Sequence, residues 1–431
     1  MNCQHSVFVI EFKQIAKKLS QHVLKRQKNT HNQHTILDVI LMKSKRNLFA
    51  LLLCLTILFL AACGAKQELI PERSDTEYVF VHGLSGWGSY DKTYQRMPYW
   101  GMFGGDLMKY LRSQGFSCYA ASVSPEGSAW DRACELYAQL TGTVTDYGKA
   151  HSERCGHAQF GPDFTGRPLI PDWDSGKKLV LLGHSFGGAT IRLFSEILAN
   201  GDEAEQATEA KELSPFFLGG QEKRLHALVT LAAPTNGTTA YDMYQDSHFD
   251  PGAVKVSRWD NLWGNFFSNR KQAERDGRSA DDYAAFDMHI DNALAMNERI
   301  TTLPGTYYFA VPCSATEPAD GGQRPIRSMM EPVFRRSAAR MGVYTGLTAG
   351  GFVIDESWQE NDGLVNTVSA MAPLGASSKE IDPTQIEPGI WQVMPTYHGD
   401  HMSLQGGIMK RNNIQPFYLE LLELIDNLPT T

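Results

Sequence analysis

A serine between two glycines is the first feature of this sequence that could do chemistry. Residues 183–187 read Gly-His-Ser-Phe-Gly, which matches the Gly-x-Ser-x-Gly turn that exposes a nucleophilic serine between a strand and a helix. The glycines are needed because side chains at their positions would collide with the adjoining strand and helix. At a helix N-terminus, backbone N–H groups and the helix dipole also favour developing negative charge. An apolar segment precedes the turn and an amphipathic one follows it, so we predict that Ser185 is a catalytic nucleophile.

A nucleophilic serine needs a histidine base, and with this motif the chain order is serine, acid, histidine. His401 is our choice, because it lies near the C-terminus, where the last loop should carry the base. His398 is the second choice, and His248 and His289 remain as alternatives.

The acid that orients the base is harder to choose from spacing, because many aspartates lie between the serine and the histidine. Residues 361–363 read Asn-Asp-Gly, a strong turn signal, and two apolar residues follow. A carboxylate on a tight turn between sheet elements could reach the histidine. Asp362 is therefore preferred, with Asp355 and Asp320 as alternatives.

An ester-cleaving serine also needs two N–H donors for the oxyanion, one of them on the residue after the nucleophile. That residue is Phe186. The second donor should come from a loop after an early strand, and residues 81–88 form a glycine-rich segment in that position. We predict Leu84 as the second donor.

Short apolar runs alternate with helical patterns and would position these residues. Candidate strands cover residues 78–81, 178–182, 227–231 and 306–311, and a candidate helix covers 189–200. Continuous apolar runs are typical of strands buried on both faces, as in a parallel sheet. The alternation predicts a doubly wound α/β domain. Residues 241–300 fit no strand, and we expect helices there that cover the site.

The N-terminal part is typical of an export signal. Residues 42–46 are basic, residues 48–60 are almost entirely apolar, and Ala61, Ala62 and Cys63 follow. The apolar run is short for a membrane span. We predict that residues 42–63 are a signal segment. Its end, residues 60–63, resembles the lipobox of bacterial lipoproteins, which implies lipidation of Cys63 and a membrane anchor. Cleavage without lipidation is the alternative. Residues 1–41 are either an over-extended start or a tail, and 64–76 are a polar tether to a domain at 77–431.

Charge excludes one class of partner. After position 63 the chain holds 31 basic and 46 acidic residues, a net charge of −15. Nucleic-acid binding needs a basic surface, so no nucleic-acid partner is expected. Four cysteines follow the signal segment and could form disulfides after export or remain buried and free: Cys118, Cys134, Cys155 and Cys313.

Taken together, these residues resemble the secreted lipases of thermophilic bacilli and staphylococci, over about residues 78–425. The resemblance is carried by residues 82–88, 130–135, 146–148, 156–158, 234–239 and 360–369, by the Ser185 turn, and by Asp400 with His401. It implies an α/β-hydrolase fold with helical lid insertions, a triad of Ser185, Asp362 and His401, and an acyl-enzyme intermediate. It also implies triacylglycerols or other carboxylic esters as substrates, met at a lipid–water interface.

The resemblance further implies a structural zinc ion. The family's four ligands fall on Asp131, His151, His157 and Asp281. Two imidazoles and two carboxylates can fill a zinc tetrahedron and leave no open position. Asp282 is the alternative fourth ligand, and Cys155 could interfere or substitute.

A calcium site of the family is expected to be lost. Its acidic pair lies just after the catalytic histidine, whereas residues 402–408 here contain no carboxylate.

Other functions remain open at this point. A short-chain esterase or thioesterase would use the same triad, and a surface lipoprotein could have kept the fold and lost the activity. A metal-dependent hydrolase would use the zinc ion directly.

Overall fold

Seven parallel strands form the central sheet. The computed structural model describes residues 75–208, 213–268 and 277–430. The strands are β1 (Thr76–Val81), β2 (Ser117–Ala121), β3 (Lys178–His184), β4 (Leu225–Leu231), β5 (Tyr307–Val311), β6 (Ser378–Glu380) and β7 (Trp391–Val393). They lie side by side in the order β6-β7-β5-β4-β3-β1-β2, and every neighbouring pair is parallel.

The four predicted strands are confirmed as β1, β3, β4 and β5. Each contains a run of apolar residues, and β1, β4 and β5 are buried along their whole length. Strands β6 and β7 have only three residues each, so they give no clear apolar run in the sequence.

Helices fill the connections. They are α1 (Leu107–Ser113), α2 (Ala129–Thr141), α3 (Lys149–Cys155), α4 (Gly187–Asn200), α5 (Glu203–Gln206), α6 (Thr239–Asp242), α7 (Arg258–Ser268), α8 (Ala284–Asp287), α9 (Ile290–Arg299), α10 (Arg335–Met341) and α11 (Gln415–Asp426). Four of these helices, α6 to α9, lie in the region 241–300 or at its edge, where helices were expected.

The sheet separates two apolar layers. Side chains alternate along β1, so that Val79 and Val81 pack with α2 and α4, while Tyr78 and Phe80 pack with α1 and α11. This arrangement confirms the predicted doubly wound α/β fold. It also brings the carboxyl ends of the strands together at one edge, where such folds carry their sites.

Helix α4 begins two residues before the predicted start, directly after the Ser185 turn. Its first two residues are glycines, which a pattern of apolar side chains does not reveal. It ends at Asn200, and Gly201 with φ 74° follows it, as expected for a helix C-terminus.

Several predictions fall outside the described residues. They are the signal segment 42–63, the anchor Cys63, residues 1–41 and nearly all of the tether. Within the described ranges, Cys118, Cys134, Cys155 and Cys313 are buried free thiols. In those same ranges we find no helix with the length and apolar character of a membrane span.

Candidate active site

Ser185 lies on a tight turn between β3 and α4. Its φ of 55° is in the left-handed region, which is uncommon for a residue with a side chain and marks a strained backbone. A Cβ at Gly183 would collide with the backbone of Gly187, and one at Gly187 would collide with the carbonyl of Val81. Both glycines of the motif are therefore required by close packing, as the sequence predicts.

The structure brings Ser185, His401 and Asp362 into one hydrogen-bonded chain. Nε2 of His401 accepts from the Ser185 hydroxyl at 2.8 Å, and Nδ1 of His401 donates to Asp362 Oδ2 at 2.8 Å. The other Asp362 oxygen accepts from the N–H groups of Leu364 and Val365 at 2.9 and 2.8 Å. These bonds fix the carboxylate, which in turn fixes the tautomer and orientation of the imidazole.

The alternative acids and the second-choice base lie elsewhere. Asp355 is exposed and accepts from the N–H and hydroxyl of Ser357. Asp320 is an exposed turn residue, and His398 is exposed on a two-residue strand that pairs with Cys313–Ser314. None of the three takes part in the hydrogen-bonded chain around Ser185.

A buried tyrosine and histidine connect the site's backbone segments. The Tyr99 hydroxyl accepts from the N–H of Gly83 at 3.1 Å and donates to Nδ1 of His184 at 2.7 Å. Nε2 of His184 donates to the carbonyl of His401 at 2.8 Å. Burial, with a further contribution from His401, lowers the pKa of His184 to about 3, so its ring is neutral and can play both roles.

The predicted oxyanion loop packs directly on the nucleophile. A Cβ at Gly83 would lie 2.7 Å from the Cβ of Ser185, so only glycine fits there. Leu84 follows it, and in the described part of the chain neither its N–H nor that of Phe186 has a hydrogen-bond acceptor. Both donors are therefore available to an oxyanion.

Arg132 has a structural role that the sequence did not predict. It is fully buried in α2 and donates to the carbonyls of His82 and Ser124 and to the hydroxyl of Thr190. Its guanidinium lies 5.1 Å from the centre of the Phe186 ring. One side chain thus supports both segments that carry the predicted oxyanion donors.

A second polar group joins α2, α3 and the segment before α8. His151 Nε2 lies 3.2 Å from Asp131 Oδ1 and 3.2 Å from Asp282 Oδ1, and His157 Nε2 lies 3.4 Å from Asp282 Oδ2 and 3.8 Å from Asp131 Oδ1. Three of these atoms are buried without a hydrogen-bond partner: Asp131 Oδ1, His151 Nε2 and His157 Nε2. Asp282 Oδ2 lies 2.7 Å from the Arg278 guanidinium. Buried polar atoms are rarely left unpaired, so the group has the geometry of a metal site.

Most of the distances are of the size expected around a small metal ion. Zinc bonds of about 2.0–2.2 Å to nitrogen and oxygen place neighbouring ligand atoms about 3.3–3.5 Å apart. Three of the four distances above are within about 0.2 Å of that range. Both carboxylates are also held by other groups, because Ser128 donates to Asp282 Oδ1 at 2.8 Å and Arg278 donates to Asp131 Oδ2. Such outer partners orient metal ligands.

The structure does not bring Asp281 into this group. The Asp281 carboxylate pairs with Arg154 at 2.7 Å, on the side of the Nδ1 atom of His151. Cys155 Sγ lies 3.9 Å from Nδ1 of His151, and Cys155 belongs with His151, His157 and Asp282 to a group whose ligand atoms all lie within 4.8 Å of one another. Of the two adjacent aspartates, Asp282 and not Asp281 belongs to the group that could hold a metal ion.

The loop after His401 is organised by a carboxylate from another part of the chain. One oxygen of the buried Glu331 accepts from the N–H groups of residues 408, 409 and 410 at 3.1, 2.6 and 2.8 Å. The N–H of Glu331 donates to Asp400 at 2.6 Å. The Glu331 carboxylate thus holds the loop after His401, in which residues 402–408 contain no acidic side chain.

Ion pairs join helix α7 to the segment that packs on His401. The buried Asp260 accepts two hydrogen bonds from Arg327, at 2.7 and 3.1 Å, and lies 3.6 Å from Arg335. Phe334, next in the chain to Arg335, packs edge-on against the His401 ring. Trp259 and Leu262 of α7 are 70% and 59% exposed, whereas Ser185 is only 7% exposed. Ser185 is therefore nearly closed off from solvent, whereas two apolar side chains of α7 are exposed.

Known proteins are similar to this chain. A protein-family model described as "Lipase-like, C-terminal domain" matches residues 74–270. A lipase of Staphylococcus hyicus is 31% identical over 373 residues, which cover 80% of this chain and 56% of that protein. Its crystal structure matches with a TM-score of 0.68 at 28% identity, covering 83% of this chain and 96% of that one. The structure of EstA from Clostridium botulinum matches with a TM-score of 0.71 at 29% identity, covering 83% of this chain and 89% of that one.

A second curated relative gives the same result. Lipase 1 of Staphylococcus aureus is 31% identical over 377 residues, which cover 80% of this chain and 53% of that protein. The chain thus spans about half the length of the curated relatives that it matches.

Proposed function

The chain is a homologue of the staphylococcal lipases and belongs to their family, and on that premise we propose that it is a serine carboxylic ester hydrolase that acts as a triacylglycerol lipase. The observation that carries the proposal is the chain of two 2.8 Å hydrogen bonds from Ser185 through His401 to Asp362. Ser185 lies on a strained turn at the carboxyl end of β3, where a reacting ester can meet both the nucleophile and the oxyanion donors.

The proposed mechanism follows from these positions. Ser185 Oγ attacks the ester carbonyl while His401 Nε2 takes its proton, and the N–H groups of Leu84 and Phe186 stabilise the oxyanion. His401 then gives the proton to the leaving alcohol, and an acyl-enzyme remains on Ser185. Water, activated by His401, releases the carboxylic acid. Asp362 stays ionised throughout and stabilises the imidazolium.

Long-chain substrates at a lipid surface are supported by α7. Its exposed Trp259 and Leu262 offer apolar area on the outside of a closed site. Contact with a lipid surface would bury that area and favour a state in which α7 has moved away from Ser185. We therefore place the substrate at a lipid–water interface.

The test is hydrolysis of p-nitrophenyl esters from acetate to palmitate and of emulsified triolein. We expect activity on long chains and triolein that is absent in Ser185→Ala and kept in Ser113→Ala, an exposed serine of α1. Activity confined to short esters would make the protein an esterase. Activity retained in Ser185→Ala, or none from the folded protein, would overturn the proposal.

We propose zinc as the occupant of the group formed by Asp131, His151, His157 and Asp282. Two imidazoles and two carboxylates at tetrahedral spacing leave no open position, so the ion would be structural. When bound, it would cross-link α2, α3 and the segment before α8 and supply no chemistry to the ester. Calcium is not proposed at the loop after His401, because residues 402–408 contain no carboxylate and calcium sites need acidic oxygen ligands.

We also propose that the protein is exported and anchored through a lipid on Cys63. The support is the basic, apolar and small-residue order of residues 42–63. Labelled fatty acid should be incorporated by the wild type and not by Cys63→Ser. Incorporation that persists in Cys63→Ser would contradict the anchor.

A further inference from the structure

A cleft away from the triad is lined by a buried arginine. It has a volume of about 440 Å³, and its lining includes Arg192, Asn297, Ile300, Tyr308, Leu374 and Trp391. Ser185, Asp362 and His401 are not among its lining residues. The volume is in the range of ligand pockets. We call it the Arg192 cleft.

Arg192 has no counter-charge among the described residues. Its side chain is 3% exposed, its only hydrogen bond is a long one of 3.4 Å to the Thr235 carbonyl, and its Nε has no acceptor. The carboxylate of Glu196, one helical turn further on, is used by Asn200 at 2.8 Å and by the N–H of Thr301 at 2.6 Å. A buried cation is costly unless it is paired.

The cleft contains a second unused donor. The indole N–H of Trp391 is buried without an acceptor, and the guanidinium of Arg192 lies 5.9 Å from the centre of that ring. Burial lowers the pKa of Arg192 only to about 10, so the side chain carries its charge at neutral pH. A cation with one long hydrogen bond and an N–H donor without an acceptor therefore belong to two residues that line the same cleft.

The rest of the lining selects among anions. Leu294, Ile300, Pro373 and Leu374 are apolar, and Glu298 adds a negative charge. A phosphate dianion would meet one arginine, one acidic side chain, an apolar wall and the neutral polar residues Ser195, Asn297, Thr301 and Thr302. A monovalent carboxylate suits a single guanidinium, which binds its two oxygens together, and an apolar chain suits the wall.

We propose that the Arg192 cleft binds a monocarboxylic acid with an apolar tail, its carboxylate on Arg192 and Trp391. Such acids are also the products of ester hydrolysis, so the cleft would bind the enzyme's own product. The identity of the acid as product rests on the proposed function, whereas the binding itself does not.

The test is a calorimetric titration of the full chain with sodium octanoate. Octan-1-ol, which has the same tail without the charge, is the ligand control. Titration is repeated after an alkylphosphonate has been attached to Ser185, so that the acyl site is filled. Arg192→Met removes the charge, and Leu374→Trp fills the cleft at a residue that is 48% exposed. Arg96→Met, at an exposed arginine, is the matched control.

We expect saturable binding of one octanoate that survives phosphonylation and that Arg96→Met leaves unchanged. Arg192→Met and Leu374→Trp should each weaken it by about tenfold or more. Absence of saturable binding, equal binding of octanol, loss on phosphonylation, or wild-type binding by both variants would overturn the inference. If Arg192→Met does not fold, Leu374→Trp decides. Failure of the phosphonate to label Ser185 would count against the proposed function, whereas the variants would still test the cleft.

Discussion

Ser185, His401 and the loop at Gly83 are positioned by the neutral, buried side chains of His184 and Tyr99. Burial lowers the pKa of both His82 and His184 to about 3. Burial raises the pKa of Tyr99, so its hydroxyl stays protonated. Neutral rings can donate from one nitrogen and accept at the other, and this is how His184 joins Tyr99 to the backbone of His401. The positions of oxyanion loop, nucleophile and base thus depend on one another.

Tyr99→Phe removes the hydroxyl at the centre of this connection. It leaves the N–H of Gly83 and Nδ1 of His184 buried without partners, which should cost about 1–3 kcal/mol of stability. We expect kcat for p-nitrophenyl esters to fall about tenfold with a smaller change in KM, because the donors and the base are displaced rather than removed. Tyr110→Phe, a half-buried tyrosine of α1, is the control. Wild-type kcat in Tyr99→Phe would contradict the positioning role.

His184 should also shape the dependence of stability on pH. Its folded pKa of about 3 lies below the ordinary value of 6.5, so below pH 6.5 the unfolded chain binds a proton that the folded chain does not. Stability from this group is therefore complete above pH 6.5 and is lost as pH falls, by about 1.4 kcal/mol per pH unit. In urea unfolding between pH 4 and 6, His184→Gln should show a slope shallower by about one proton. His398→Gln, at an exposed histidine, is the comparison, and an unchanged slope in His184→Gln would refute the assignment.

At the scale of elements, what the sequence predicts depends on how local the signal is. Strands β1, β3, β4 and β5 and helix α4 follow from runs of neighbouring residues. Arg132 and Glu331 could not be found in this way, because their partners are backbone groups far along the chain. Spacing also could not choose between Asp281 and Asp282, since the direction of a side chain in a loop is set by tertiary packing.

Helix α7 should be held closed by Asp260. Asp260→Asn removes the charge that pairs with Arg327 and Arg335, and the closed state should lose stability relative to the open one. We expect higher activity on dissolved short esters and a smaller rise in activity when the substrate forms an interface. Asp250→Asn, at an exposed aspartate before the helix, should behave as wild type. An unchanged response to the interface in Asp260→Asn would show that this ion pair does not hold the helix.

The loop after His401 should depend on Glu331 instead of calcium. Glu331→Gln replaces a carboxylate that accepts from three N–H groups by a neutral amide, and we expect about 1–3 kcal/mol of lost stability together with lower kcat. In the wild type, a calcium-selective chelator should leave ester hydrolysis unchanged. Activity lost with the chelator and restored by calcium would contradict this expectation.

Across the whole molecule, the metal group and the oxyanion loop are joined through α2. Asp131 belongs to the metal group, and Arg132 next to it donates to the carbonyl of His82 and to Thr190 of α4. The group also ties α2 to α3 and to the segment before α8, which are distant in sequence. An ion there would therefore stabilise the layer of α2 and α4, and its loss would reach Ser185 through the backbone and not through contact with substrate.

Two adjacent aspartates provide a matched test of this arrangement. Asp282→Asn removes a charge that faces His151 and His157, whereas Asp281→Asn removes one that faces Arg154. We expect the purified wild type and Asp281→Asn to contain about one zinc ion per chain, and Asp282→Asn to contain much less and to melt at a lower temperature, because metal binding stabilises only the folded state. In the Asp282 variant kcat should fall with Tm, and zinc added in excess should restore both in part. Loss of zinc from Asp281→Asn instead of Asp282→Asn would show that Asp281 is the fourth ligand. Absence of zinc from the wild type and both variants would contradict the proposed zinc site.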